Sequence, residues 1–433
     1  MLLFWFRRDL RLHDNAGLFH ALASGKPVLP LFIFDRAILA KLEDKADARV
    51  SFIHDTVTKM QRELEDSGST LLVKYGEPLE VLSELLNKYE VEGIYTNRDY
   101  EPYAQERDKA MAELAQQHQV EFSTFKDQVI FEKSEIMTQS GTPYKVYTPY
   151  KNAWKKAFTS EMAAPYTCRE YFRQLLPHFK TNLPTLQEIG FTRSKIEVPP
   201  HDLSPETLSA YHSTRNLPAL DATSRLSPHL RFGTVSVREA VKEALAHNDV
   251  WLQELIWREF FMQLLFHFPA SADSSFSPKF SSINWRNIEE EFQRWCEGTT
   301  GFPLVDAGMR ELNETGFMHN RVRMVVASFL VKDLLIDWRW GEAYFAEKLL
   351  DYEQASNVGN WQWAAGTGAD AQPYFRVFNP DSQINKFDKE YAYIKRWIPE
   401  YDTSSYPKPM LDHSLARDRA LETYKKAIAE AGA

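Results

Sequence analysis

The sequence predicts two domains of different class: an α/β domain on a parallel, Rossmann-like sheet, then an all-α domain. Three observations carry this. Over the first 130 residues short apolar runs alternate with amphipathic stretches, and beyond about residue 200 only helical spacing remains. Nine of the eleven tryptophans lie at or after position 251, which gives the second domain an aromatic-rich interior. At 433 residues the chain is also too long for one ordinary core.

Taken in order, residues 2–6, 27–34, 71–75, 93–96 and 121–125 read as strands, and 46–64, 78–89 and 103–117 as helices between them. Such alternation implies a parallel sheet with helices on both faces. No Gly-X-Gly-X-X-Gly follows the first strand and no P-loop is present, so the usual nucleotide motifs are missing. From 131 to 200 the periodicity fades, and Pro143, Pro149, Pro165, Pro177, Pro184, Pro199 and Pro200 punctuate a long connector. Residues 237–246, 251–268, 305–315, 321–336 and 344–350 then carry apolar side chains at helical spacing, and 412–433 forms a charged, helix-like end. The expected division is 1–130, a connector at 131–200, and 201–433. There is no internal repeat.

Composition limits the function classes. With 44% hydrophobic and 26% charged residues, the chain reads as a globular protein. No apolar run approaches the roughly 20 residues that a membrane span needs. The apolar start, Met1 to Phe6, meets Arg7 and Arg8 at once, as a buried strand would and a cleavable leader would not. The only cysteines, Cys168 and Cys296, are far apart and lack His or Cys neighbours at ligand spacing. That argues against a disulfide framework and a metal site, and for a reducing cytoplasm. The net charge of −9 argues against a general polyanion binder. Residues 1–130 carry 16 basic and 22 acidic side chains, 131–200 carry 10 and 6, and 201–433 carry 25 and 32. Contact with nucleic acid would therefore need a local basic patch.

The chemistry concentrates in a few motifs. Trp361-Gln362-Trp363 lies in a Gly- and Asn-rich stretch, with Trp338 and Trp285 upstream. Indoles fill cores, but they can also pass single electrons and stack on bases. Thr223-Ser224-Arg225-Leu226-Ser227 supplies hydroxyls, backbone N–H groups and one positive charge ahead of a helical region. That set suits a helix cap or a diphosphate. Glu254, Trp257, Arg258 and Phe261 share a helix face, which is either a core stripe with a Glu254–Arg258 ion pair or the lining of a cavity.

With Phe6-Arg7-Arg8-Asp9-Leu10-Arg11-Leu12, these motifs resemble the photolyase/cryptochrome flavoproteins, closest to the class I cyclobutane pyrimidine dimer photolyases. The resemblance runs from Phe6 to about Pro399. It implies an antenna-binding α/β domain and a helical domain that binds FAD and the DNA lesion. By the match, Tyr211, Thr223, Ser224, Arg225, Leu226, Ser227, Trp251 and Arg258 would contact FAD. Arg323 and Glu353 would form an ion pair beneath the flavin, with Glu353 where Asp is more usual. Asp351 would hydrogen-bond the isoalloxazine, and the Asn357 amide would face its N5 and favour the fully reduced flavin. Gln354 and Val358 depart from the commoner Leu and Asn, which touches local packing.

Trp361, Trp338 and Trp285 match a chain that carries electrons to oxidised flavin; without the resemblance they would be read as core. Glu254 matches a carboxyl that hydrogen-bonds pyrimidine carbonyls, and Trp257 and Trp363 match aromatic walls of the lesion cavity. The DASH branch carries Tyr at the position of Trp363. Arg215, Arg321 and Arg376 match phosphate contacts. Asn320 and Met324 match lesion contacts of the dimer-specific class; photolyases for (6-4) photoproducts place His there for proton transfer.

The resemblance thus implies light-driven repair of cyclobutane pyrimidine dimers by electron transfer from reduced FAD. UV-damaged DNA would be the partner, and a monomer is expected, in the cytoplasm and off the membrane. A second chromophore (methenyltetrahydrofolate, deazaflavin or flavin) is expected in the antenna domain, with Tyr100 and Glu101 as candidates for its contacts. The alternatives are a cryptochrome-like photoreceptor, set against by Asn357 and by the missing regulatory tail, and a (6-4) photolyase. A plain electron-transfer flavoprotein would leave the paired wall tryptophans without a role.

Overall fold

The computed structural model describes residues 1–431. In chain order the elements are β1 (Leu2–Phe6), α1 (Ala16–Ala23), β2 (Val28–Asp35), α2 (Arg36–Leu39), α3 (Ala48–Asp66), β3 (Leu72–Gly76), α4 (Pro78–Lys88), β4 (Gly93–Asn97), α5 (Pro102–Gln117) and β5 (Glu121–Phe125). Then come α6 (Tyr147–Ala157), α7 (Pro205–Thr214), α8 (Ser227–Phe232), α9 (Val237–His247), α10 (Asp249–His267), α11 (Glu289–Glu297), α12 (Pro303–Thr315) and α13 (Asn320–Ser328). A π-helical turn at Phe329–Asp333 leads to α14 (Trp338–Lys348), α15 (Gln354–Ala365), α16 (Pro380–Phe387), α17 (Ala392–Trp397) and α18 (His413–Ala431).

The five strands form one parallel sheet in the order β3-β2-β1-β4-β5. All five residues of the central β1 are buried, as a strand covered on both faces requires. Its side chains alternate between two cores: Leu2, Phe4 and Phe6 join Phe32 and Phe34 on one face. Leu3 and Trp5 join Leu31, Ile33 and Ile94 on the other. Pro30 sits in β2 without breaking it, because β3 pairs with β2 only from Leu31 onward.

The chain divides into two compact units that interleave in sequence. The first comprises residues 1–135, 155–203 and 225–246, and the second 136–154, 204–224 and 247–433. The sequence led instead to three consecutive stretches. Long-range polar contacts explain the difference. In the first unit Arg238 of α9 donates to Asp127 at 2.8 Å and to Asp14 at 2.7 Å, and Arg11 donates to Asp127 at 2.6 Å. Although buried, Asp127 is held down at about 2 by Arg11 and Arg238. In the second unit the buried Glu259 of α10 accepts from Tyr150 and Trp154, which draws the start of α6 out of the expected connector.

Other charges at the strand ends also pair within the first unit: Arg7 with Asp108, and Arg8 with Asp99. The core of the second unit centres on Trp295, Val305, Met309, Val322, Phe329, Leu330, Trp338, Phe345 and Trp361. No helix among the described residues is long and apolar enough to cross a membrane.

Candidate functional site

The residues singled out from the sequence gather mainly in the second unit, on α10, α13 and α15. Asn248 caps α10 by accepting from the Val250 and Trp251 amides. Trp251 is buried near that start, while Glu254, Trp257 and Arg258 emerge half-buried on the next turn. The helix lies close against α15: a β-carbon on Gly359 would come within 2.2 Å of the Phe261 ring.

Two ion pairs differ from the expected ones. Glu254 accepts from Arg215 Nη1 at 2.6 Å and not from Arg258 on its own helix. Arg258 instead reaches Glu353 on the segment before α15, at 3.2 Å. Arg323, expected to pair with Glu353, holds both oxygens of Asp351, at 2.9 and 3.2 Å. A planar guanidinium fork facing a carboxylate gives this two-point geometry. The expected Arg323–Glu353 pair is therefore replaced by two pairs, Arg323–Asp351 and Arg258–Glu353. Burial raises the Glu254 carboxyl above its ordinary range, and the Arg215 charge opposes that.

On α13, Asn320 is exposed and Arg321, Arg323 and Met324 are half-buried. Arg321 donates to Asn216 at 2.7 Å and lies 4.5 Å over the Phe387 ring. Burial lowers its affinity for a proton, as do the charges of Arg215 and Arg376, so both of those arginines lie within electrostatic reach of Arg321. That forms a local basic patch in a chain of net charge −9. His319 caps the helix, its Nδ1 accepting from the Arg321 amide at 3.2 Å. Burial, Arg323 and Arg321 push this imidazole down to about 4, so it is neutral at pH 7.

Asn357 is buried on α15 and donates its amide to the Glu342 carboxyl and carbonyl at 2.9 and 3.0 Å. This orients the group and leaves Oδ1 without a donor among the described residues. An unclaimed amide oxygen fits a ligand that presents an N–H, which a reduced flavin does at N5. Glu342 was not legible as a partner, because it lies fifteen residues upstream on α14.

Of the three tryptophans that the resemblance assigns to an electron chain, Trp361 and Trp338 are buried and Trp285 is half-exposed. Trp361 packs edge-on to Phe345 at 5.0 Å, and Gly341 of α14 leaves room for its six-membered ring. Trp285 meets Tyr424 edge-on at 6.1 Å. Trp363 is half-buried, and Arg376 is exposed on the loop beyond it.

The Thr223–Ser227 stretch crosses the division of the chain. Thr223 and Ser224 close a segment of the second unit, and Arg225 opens one of the first. Arg225 has a left-handed backbone, φ 47°, and Ser227 is the first residue of α8 and not its cap. Tyr211 of α7 feels the charges of Glu254 and Arg215, and burial raises its phenol well above the ordinary range. In the first unit Tyr100 donates to Glu132 at 2.6 Å, and Glu101 pairs with Arg8 at 3.1 Å and Arg231 at 3.4 Å. Sequence reading missed Tyr147, which stacks on Trp257; it lay in the supposed connector. Among the described residues no three His, Cys, Asp or Glu side chains are placed to hold a metal.

Known proteins resemble this chain along almost its whole length. Residues 2–168 match the family described as DNA photolyase, and 251–405 match the FAD binding domain of DNA photolyase. A deoxyribodipyrimidine photo-lyase of Synechococcus sp. is 37% identical, over 99% of this chain and 98% of that protein. The crystal structure of a bacterial class III photolyase from Agrobacterium tumefaciens is similar with a TM-score of 0.89 and 34% identity, covering 98% of this chain and 97% of that one. An archaeal photolyase from Sulfolobus tokodaii, solved with two FAD molecules, gives 0.85 and 36%, over 98% and 99%. Full-length identity at this level, with both family domains in order, establishes that the chain belongs to the DNA photolyase family of FAD-binding enzymes.

Proposed function

We propose that this enzyme repairs cyclobutane pyrimidine dimers in DNA by a light-driven electron transfer. The observation that carries the reading is the Glu254–Arg215 pair on the helix turn next to the half-buried Trp257, with Arg321 within electrostatic reach of both Arg215 and Arg376. An aromatic wall, one carboxyl and several phosphate-seeking guanidiniums are what a flipped-out dinucleotide needs.

FAD, when bound and reduced, would supply light-driven donation of one electron to the dimer. The protein's own groups hold and orient. Arg323 with Asp351, Arg258 with Glu353, Trp251 and Tyr211 would hold the cofactor, and Thr223 and Ser224 of the same unit would receive its phosphates. Asn357, fixed by Glu342, would offer its oxygen to an N–H. Trp257 and Trp363 would stack on the pyrimidines, and Asn320 and Met324 would line the pocket as an amide and a thioether.

Glu254 has a more exacting task. A carboxyl donates to a pyrimidine carbonyl only when protonated. Burial favours that form and Arg215 opposes it. A DNA phosphate that engages Arg215 would relieve the opposition, so lesion binding would favour the donating state. Trp361, Trp338 and Trp285 would serve to reduce an oxidised cofactor and would not take part in repair itself. A second chromophore of folate, deazaflavin or flavin type would act as antenna, as the second FAD of the Sulfolobus tokodaii protein suggests.

The test is loss of thymine dimers from an oligonucleotide under light, with dithionite-reduced protein, a dark control and a (6-4) photoproduct substrate in parallel. Repair of the cyclobutane lesion alone, and only in light, supports the reading. No repair by protein carrying fully reduced FAD would favour a cryptochrome-like photoreceptor, and repair of the (6-4) lesion would overturn the substrate assignment.

A further inference from the structure

A close, flat ring stack in the second unit involves a residue that belongs to none of the sequence motifs. Tyr147, the first residue of α6, lies parallel to Trp257, with centroids 3.5 Å apart and planes inclined by 8°. Offset or edge-on contacts at 4.5–7 Å are the common aromatic geometries, so this pair is unusually close and flat. Phe260 meets both rings edge-on, at 5.8 Å from Tyr147 and 5.7 Å from Trp257.

Tyr147 is held at both ends. Its hydroxyl donates to the Gln253 carbonyl on α10 at 2.8 Å. Its backbone amide donates to Asp370 Oδ2 at 2.9 Å, on the loop that follows Trp363. The tyrosine is 5% exposed, whereas the indole it covers is only half-buried. The Tyr147 ring thus covers Trp257 and cannot turn away without breaking its hydroxyl hydrogen bond, while its backbone is held separately by Asp370. Phe261 packs at 5.5 Å and 27° to the same indole.

We propose that Tyr147 is a positioning residue for lesion recognition: it backs Trp257 and fixes the plane of the indole on which a flipped-out pyrimidine would stack. The proposal rests on the reading of Trp257 as a lesion wall. An indole free to rotate must lose that freedom when a base stacks on it, and a pre-stacked indole has already lost it. The two tethers also join α10 to the Asp370 loop, so the angle of the wall is set relative to the segment that follows Trp363. Tyr147 touches no substrate atom in this scheme and works through Trp257 alone.

The experiment compares FAD-loaded wild type, Tyr147→Leu, Tyr147→Phe and Trp257→Leu. Affinity is measured for a dimer-containing oligonucleotide and for its undamaged copy, with KM and kcat for repair. Leucine keeps bulk but removes the parallel stack; phenylalanine keeps the stack and loses only the hydroxyl tether. The leucine variant is expected to bind the lesion about three- to tenfold more weakly, the scale of immobilising one side chain on binding. Its KM should rise accordingly, while kcat at saturation, FAD content and affinity for undamaged DNA stay within about twofold. Phenylalanine is expected to restore most of the lesion affinity.

Unchanged or tighter lesion binding by Tyr147→Leu would overturn the inference. Loss of FAD or of undamaged-DNA binding in that variant would overturn it as well, since Tyr147 would then act on the fold as a whole. If Trp257→Leu also keeps full discrimination, the reading of the site itself fails; if only Trp257→Leu loses it, the fault lies with Tyr147.

Discussion

Gly341 offers a sharp test of how tightly Trp361 is held. A methyl group at this position on α14 would lie 2.1 Å from Trp361 Cη2, 2.5 Å from Cζ3 and 2.6 Å from Leu330 Cδ2. Carbon atoms pack at about 3.5–4.0 Å, so the indole must retreat by at least about 1.4 Å. It has little room to do so. Trp361 is 2% exposed, with Phe345 at 5.0 Å and Trp295 at 6.1 Å across its edges. Overpacking of this kind costs about 1–3 kcal/mol, and alanine returns about 1 kcal/mol through its better helix propensity. Gly341→Ala is therefore expected to be destabilised by up to about 2 kcal/mol, read as a lower urea midpoint. Its flavin photoreduction should be slower, because Trp361 is proposed to pass electrons to the oxidised cofactor, while repair by chemically reduced protein is retained. A more stable variant would refute the packing argument. A destabilised variant with photoreduction at the wild-type rate would refute the link between Trp361 and electron entry.

Three further predictions follow the same reasoning. Trp338→Phe should slow photoreduction of oxidised flavin yet leave repair by pre-reduced enzyme nearly intact; collapse of both would remove Trp338 from the relay. His319 is lowered from 6.5 to about 4 in the folded protein, so the unfolded chain binds the extra proton first as pH falls. The stability this imidazole contributes is fully present above about pH 6.5 and is lost progressively down to about pH 4, by roughly 3 kcal/mol at most. His319→Asn keeps a capping acceptor and should flatten that part of the urea-midpoint profile; an identical pH dependence would show that His319 is not its source. Arg376→Ala should weaken binding to damaged and undamaged DNA alike and reduce the slope of log affinity against log salt by about 1. A salt slope equal to that of wild type would place Arg376 away from the phosphates.

How much was legible in the sequence depended on the range of the interaction. The unbroken apolar run in residues 2–6 reports burial on both faces of a strand, and the structure sends alternate side chains of β1 into two separate cores. Helical spacing likewise placed Glu254, Trp257 and Arg258 on one side of α10. Strand order, register and the partners of charged groups are different in kind. A guanidinium has several carboxylates within a few residues, and its choice depends on which one the fold brings into line. Glu254 was read against its helical neighbour Arg258, yet it pairs with Arg215, 39 positions away.

The sequence by itself determined the two structural classes, the motif residues and, through them, the family, because each is written in local periodicity or in a contiguous string of side chains. Only the tertiary structure decided which residues share a compact unit. Arg238 meets Asp127 across 111 positions, and Trp154 meets Glu259 across 105. It alone also set Glu342 behind Asn357 and Tyr147 behind Trp257. Burying a charge or an indole N–H is tolerated only with a partner in place, and that partner is chosen by the fold in space and not by proximity along the chain.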